Sequence, residues 1–231
     1  MKNTSSNCEL GVLVVGLGSI GLRHLENLKH LGCRRLGVYR SRNSPLHRFV
    51  DLQDVAIHLD YDQALAENYD AVVIANPTSL HMQYAQKAAQ AGCHLYIEKP
   101  LSNNLEYIEA LRSTVCRRNL VVMIGCQFRF HPNLMAIWDW LDKDSIGRVL
   151  GVHVDVGEYL PEWHPWEDHR SGYAARDDLG GGVVLTLIHE IDYLHWIFGP
   201  LEVVAAAGGN SGSLGIEVED HVSSMLLAQN G

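Results

Sequence analysis

No stretch of this chain approaches the ~20 consecutive apolar residues that a membrane-spanning helix needs, so a bilayer is not an expected partner. Positive charge is also scarce: 18 Lys and Arg stand against 27 Asp and Glu, a net charge of −9. A mildly acidic surface repels polyanions, which argues against nucleic acid or an anionic membrane as the main partner. Cysteine is thin and scattered, at Cys8, Cys33, Cys93, Cys116 and Cys126, with no CxxC pair. Such an odd set reads as reduced thiols rather than disulfides or a zinc site. The opening MKNTSSNCEL lacks the apolar core of a secretory signal, and a cytoplasmic location is expected. There is no HExxH and no third-ligand signature among the 13 histidines, so no metal is expected. Internal repeats and low-complexity segments are missing as well.

What is present is ordinary globular composition, 47% apolar and 19% charged over 231 residues, enough for one large domain or two small ones. The chain is organised around residues 10–28, LGVLVVGLGSIGLRHLENL. An almost unbroken apolar run predicts a strand buried on both faces. Gly16-x-Gly18-x-x-Gly21 follows, and then apolar residues at Ile20, Leu25, Leu28 and Leu31 predict a helix. In this context Gly16 makes the tight turn, Gly18 admits a pyrophosphate against the backbone, and Gly21 lets helix and strand pack closely. Ser19 and Ile20 open the helix, whose free N–H groups and positive dipole end suit phosphates.

Further strands are expected at residues 35–39, 55–59, 71–75, 93–97 and 120–124, with helices at 62–67, 79–91 and 104–118. Ser79 is the expected cap of the second of these helices, and Gly92 its stop. This alternation predicts a doubly wound parallel sheet over residues 1–124, with ligands at the carboxyl ends of the strands. From 125 to 231 the pattern changes to an α+β domain with an open, mostly antiparallel sheet. Helices are expected at 131–141 and 184–198, strands at 148–157, 201–207 and 218–228, and a loop at 158–178. The end at Gln229-Asn230-Gly231 reads as a turn between strands, so the sheet is expected to be unfinished and to associate through its edge.

Four motifs occur in order: Gly16-x-Gly18-x-x-Gly21, Asn76-Pro77-Thr78-x-x-His81, Glu98-Lys99-Pro100, and Gly180-Gly181-Gly182 with His189-x-x-Asp192. Together they resemble the glucose–fructose oxidoreductase / inositol dehydrogenase (Gfo/Idh/MocA) family over nearly the whole chain. The resemblance implies a nicotinamide-dependent oxidoreductase acting on a sugar or cyclitol. It implies Lys99, His189 and Asp192 as catalytic residues, and Asn76, Pro77, Thr78, His81, Glu98, Lys99 and Gln127 beside the cofactor. Arg129 would border the substrate. The tract around Tyr159, Trp163 and Tyr173 also resembles members found with surface-polysaccharide sugar synthesis. Many members carry an aspartate three or four residues before the histidine, where this chain has Leu185 and Thr186. A non-catalytic dinucleotide-binding sensor and an NAD-dependent glycosidase are therefore the alternatives.

The residues themselves support parts of this. Lys99 follows a parallel strand and could stabilise an alkoxide, or be an ordinary solvated lysine. His189 has a side chain suited to proton exchange near neutral pH, with Asp192 at i+3 to orient it. Lys99 and His189 are expected to face the same nicotinamide position. Trp163, His164, Tyr173 and Arg176 could contact a sugar or simply pack. Beyond the second strand Arg40, Ser41 and Arg42 stand where an NAD site needs a carboxylate, so NADP(H) is favoured over NAD(H). A homodimer or homotetramer through the C-terminal sheet is expected.

Overall fold

The computed structural model describes residues 8–41 and 50–229 of the chain. It divides into two compact units, Met1–Gly125 and Cys126–Gly231. In the first, β1 (Cys8–Val15), α1 (Ser19–His30), β2 (Cys33–Tyr39), β3 (Val55–His58), α2 (Tyr61–Ala66) and β4 (Ala71–Ile74) follow one another. They are succeeded by α3 (His81–Ala91), β5 (His94–Ile97), α4 (Ile108–Arg118) and β6 (Val122–Ile124). All pairings are parallel and the sheet order is β3-β2-β1-β4-β5-β6. That is the doubly wound nucleotide-binding order, whose switch point lies between β1 and β4.

The reason for the apolar run in β1 is visible in its alternation. Val12 and Val14 pack with Leu25 of α1 and with Leu36, Val38 and Val55. Leu13 and Val15 pack on the opposite face with Met82, Ala85, Ala88 and Ala89 of α3. A central strand covered by helices on both sides cannot afford a polar face.

Two helix starts differ from expectation. Ser79 does not cap α3; it lies inside a 3-10 turn, Thr78–Leu80, closed by the Leu80 N–H on the Pro77 carbonyl at 2.9 Å. α4 begins at Ile108 rather than 104, because the Asn104 carboxamide oxygen accepts from the Glu106 N–H at 2.9 Å and so forms a turn.

The second unit contains α5 (Pro132–Asp142), α6 (Val183–Thr186), α7 (His189–Phe198), β7 (Leu201–Gly209) and β8 (His221–Ala228). Pro132 occupies the first turn of α5, where its missing N–H costs nothing. β7 and β8 form an antiparallel pair. Two expectations fail here. Residues 148–157 alternate like a strand, yet no ladder partner meets them among the described residues, and Leu150 is 92% exposed. Alternation gives a covered face but does not supply hydrogen-bonding neighbours. The helix expected over 184–198 breaks at Leu187 (φ −104°, ψ 42°), so His189 opens α7 instead of lying within a longer helix. The Thr186 hydroxyl donates back to the Gly182 carbonyl at 2.7 Å, a bond that competes with regular helix. The loop at 158–178 carries four short 3-10 turns.

Candidate functional site

In the first unit the glycine turn joins β1 to α1. Gly16 has φ +90°, and a Cβ there would stand 2.9 Å from the Ala75 carbonyl oxygen, at the end of β4. A Cβ at Gly21 would run into the Gly16 carbonyl oxygen, so only glycine lets α1 start this close to the strand. Around Gly18, by contrast, nothing lies within 4 Å of a would-be Cβ. The first turn of α1, with Ser19 and an exposed Ile20, has no side-chain cap and no acidic residue. A helix start directs N–H groups and a positive dipole end toward an anion, and the open space over Gly18 admits one. A dinucleotide pyrophosphate fits these residues.

Beyond β2, the Arg40 N–H donates to the His58 carbonyl at 3.1 Å, which fixes the backbone where a ribose would be read. Ser41 is an exposed bend. Arg42 lies outside the described residues.

After β4, the Asn76 side-chain oxygen is buried and has no hydrogen-bond partner among the described residues. Pro77 leads into the 3-10 turn, and Thr78 is buried beneath it. His81, expected beside a cofactor, meets the backbone on either side of its ring. It is 1% exposed, with Nδ1 2.9 Å from the Pro100 carbonyl and Nε2 2.9 Å from the Asn76 carbonyl. Burial lowers its pKa, against the opposing pull of these two carbonyls. With both nitrogens spent on backbone, its ring ties the Asn76–Pro77 turn to the segment after β5.

That segment is Glu98-Lys99-Pro100, with Lys99 half-buried and a cis Lys99–Pro100 peptide. Glu98 is turned inward: its Oε1 lies 2.6 Å from His24 Nε2 of α1, and its Oε2 accepts from the Lys99 N–H at 3.3 Å. The His24 ring meets Tyr96 edge-on at 5.0 Å. Glu98 therefore anchors the Lys99 backbone to the helix that opens at the glycine turn. His24 is a supporting residue outside the motifs named above. Its signal was spacing, three residues after Gly21 and so on the same helical face.

In the second unit, a 3-10 turn Gln127–Phe130 lies against α7. His189 is 8% exposed. Gln127 Nε2 stands 3.3 Å from His189 Nε2, and the Phe128 ring stacks on the imidazole at 4.4 Å and 21°. Asp192 is drawn elsewhere than expected: Arg129 Nε and Nη2 donate to its two oxygens at 2.9 and 2.6 Å. Burial pushes the Asp192 carboxyl up, but hydrogen bonds from Arg129 and Cys126, with the nearby charges of Arg129 and His189, hold it below the usual range. The same hydrogen bond raises the Arg129 pKa. Asp192 therefore orients Arg129 through a bidentate pair, and the Arg129 side chain stays 39% exposed. Trp163 and Tyr173 line a cavity of about 20 Å³ with His164 and Glu167. That volume holds about one water. Among the described residues no group of three or more His, Cys, Asp or Glu could hold a metal, and no helix is long and apolar enough to cross a membrane.

Sheet order and glycine turn together define a nucleotide-binding Rossmann domain followed by an α+β domain. Residues 10–126 match the oxidoreductase family with an NAD-binding Rossmann fold, and residues 134–231 match the GFO/IDH/MocA C-terminal domain. The chain belongs to the Gfo/Idh/MocA oxidoreductase family. It is 29% identical over 202 residues to the uncharacterized oxidoreductase sll0816 of Synechocystis sp., covering 85% of this chain and 53% of that protein. The chain thus spans about half the length of this curated relative. The WlbA dehydrogenase from Bordetella pertussis, solved with NADH and UDP-GlcNAcA, superposes with a TM-score of 0.80 at 21% identity, over 96% of this chain and 70% of that one. A putative NADPH-dependent oxidoreductase from Desulfitobacterium hafniense gives 0.76 at 20% identity, over 100% and 65%.

Proposed function

We propose that this chain works in hydride transfer between NADP(H), favoured over NAD(H), and a hydroxyl or keto carbon of a sugar or cyclitol. The observation that carries the reading is the open space over Gly18 at the uncapped start of α1, in a sheet of nucleotide-binding order. When bound, the nicotinamide ring supplies or accepts the hydride. The backbone N–H groups of α1 hold the pyrophosphate, and Arg40, Ser41 and Arg42 hold a 2′-phosphate through charge-assisted bonds. Lys99 stabilises the developing alkoxide, and His189 exchanges the hydroxyl proton. A substrate from surface-polysaccharide sugar metabolism agrees with the nucleotide-sugar ligand of the Bordetella structure. The exposed Val203, Val204, Val222, Met225 and Leu227 of β7 and β8 support a homodimer or homotetramer through this sheet. A cytoplasmic location accords with the scattered cysteines of the sequence, which include no CxxC pair.

One observation favours a second reading. At the positions where the family resemblance implies an aspartate in many members stand Leu185 and Thr186, and the Thr186 hydroxyl is spent on the Gly182 carbonyl. A dinucleotide-binding sensor needs no proton carrier there. A cofactor-reduction assay over a panel of sugars and cyclitols decides. Net reduction, lowered by about 10²–10⁴ in His189→Ala, upholds the dehydrogenase. Binding without reduction upholds the sensor, and sugar release without net reduction upholds a glycosidase.

A further inference from the structure

Four consecutive residues, Cys126 to Arg129, all engage α7, and they do so in pairs. Cys126 and Arg129 hydrogen-bond Asp192, while Gln127 and Phe128 contact His189. His189 and Asp192 lie three apart on one face of α7, so a single short turn reaches both, its outer pair on Asp192 and its inner pair on His189. We infer that Phe128 is a positioning residue for His189, its ring fixing the plane of the imidazole while Gln127 fixes which ring edge is presented. The inference rests on the acid/base reading of His189.

The division of labour follows from the freedom of a histidine ring. Its χ2 is a broad, roughly two-fold torsion. A ring stacked face-on at 4.4 Å and 21° restricts rotation out of that plane but allows a half-turn, which preserves it. The half-turn exchanges Nε2 with Cε1 and so loses the Gln127 contact at 3.3 Å. The two neighbours together leave one orientation. The bidentate Arg129–Asp192 pair clamps the turn that carries both of them to the helix that carries His189. Phe128 also meets His131 edge-on at 6.1 Å, a second contact for its own ring.

The test compares Phe128→Leu, which keeps apolar bulk without a ring face, with Phe128→Tyr, which keeps the face. The His189 ring protons, assigned by their loss in His189→Gln, carry an upfield ring-current shift in the parent protein. Leucine abolishes that shift and tyrosine retains it. In the reduction assay Phe128→Leu lowers kcat by roughly 10–100-fold with little change in KM, on the scale expected for an ångström of misplacement, and Phe128→Tyr restores it. Loss of the ring-current shift with kcat held within about twofold of the parent overturns the inference, provided His189→Ala is inactive. Full activity in His189→Ala overturns instead the reading of His189 on which the inference stands. Should Phe128→Leu fail to fold, the exposed Gln127 decides: Gln127→Leu lowers kcat if the ring is held as described, and leaves it unchanged if it is not.

Discussion

Replacing His81 by Ala separates a structural brace from a cofactor ligand. The ring is buried between the Asn76 and Pro100 carbonyls, 2.9 Å from each. A neutral imidazole has one N–H, so one carbonyl accepts a hydrogen bond and the other lies against a nitrogen lone pair. Truncation leaves at least one buried carbonyl unsatisfied, at about 1–3 kcal/mol. It also removes a fully buried side chain, for which large-to-small changes cost about 2–5 kcal/mol. Because the half-buried turns on either side can partly relax, the expected loss is about 3–5 kcal/mol, a large share of the roughly 5–15 kcal/mol typical of a domain. Urea unfolding of the protein without dinucleotide should show a lower midpoint at unchanged slope. There is a pH signature too. Burial depresses the folded pKa below its ordinary 6.5, so between those values the unfolded chain binds a proton that the folded chain does not. Stability therefore falls as pH drops through 6.5 toward the folded pKa, and the Ala variant loses that part of the slope. Unchanged stability without cofactor, combined with a tenfold or greater loss of dinucleotide affinity, would refute the brace and make His81 a ligand.

Arg40→Ala should weaken NADP(H) binding about tenfold or more, since one charge-assisted bond contributes about 1.5–3 kcal/mol, while NAD(H) binding hardly moves. Equal loss for both cofactors in parallel titrations would remove Arg40 from 2′-phosphate recognition. Leu25→Ala empties a fully buried position between α1 and the Val12–Val14 face of the sheet. It should destabilise by about 2–5 kcal/mol in denaturant titration, and a loss under about 1 kcal/mol would show that this face is not the packed core described.

The first unit was legible because its signals are local and redundant. A strand buried on both faces must be apolar throughout, and Val12 to Val15 are. A turn that brings Gly16 against Ala75 and Gly21 against Gly16 must use glycine, so the motif records a packing constraint within a few residues. The second unit shows where such reading stops. Helical spacing correctly put His189 and Asp192 on one face, but it could not say that Asp192 would be taken by Arg129, 63 residues away in sequence. An arginine fork offers a carboxylate two parallel bonds, whereas a neighbouring imidazole offers one, so the distant partner wins once the turn is docked. Glu98 shows the same effect, spending one oxygen on His24 across 74 residues. His81 shows it most clearly, because a buried histidine looks identical in sequence to one that faces a ligand. Candidate residues can thus be ranked by type and periodicity, but their division into reacting groups and the groups that hold them depends on long-range polar pairing. That pairing is what makes Phe128, Arg129 and Asp192 parts of one support for His189.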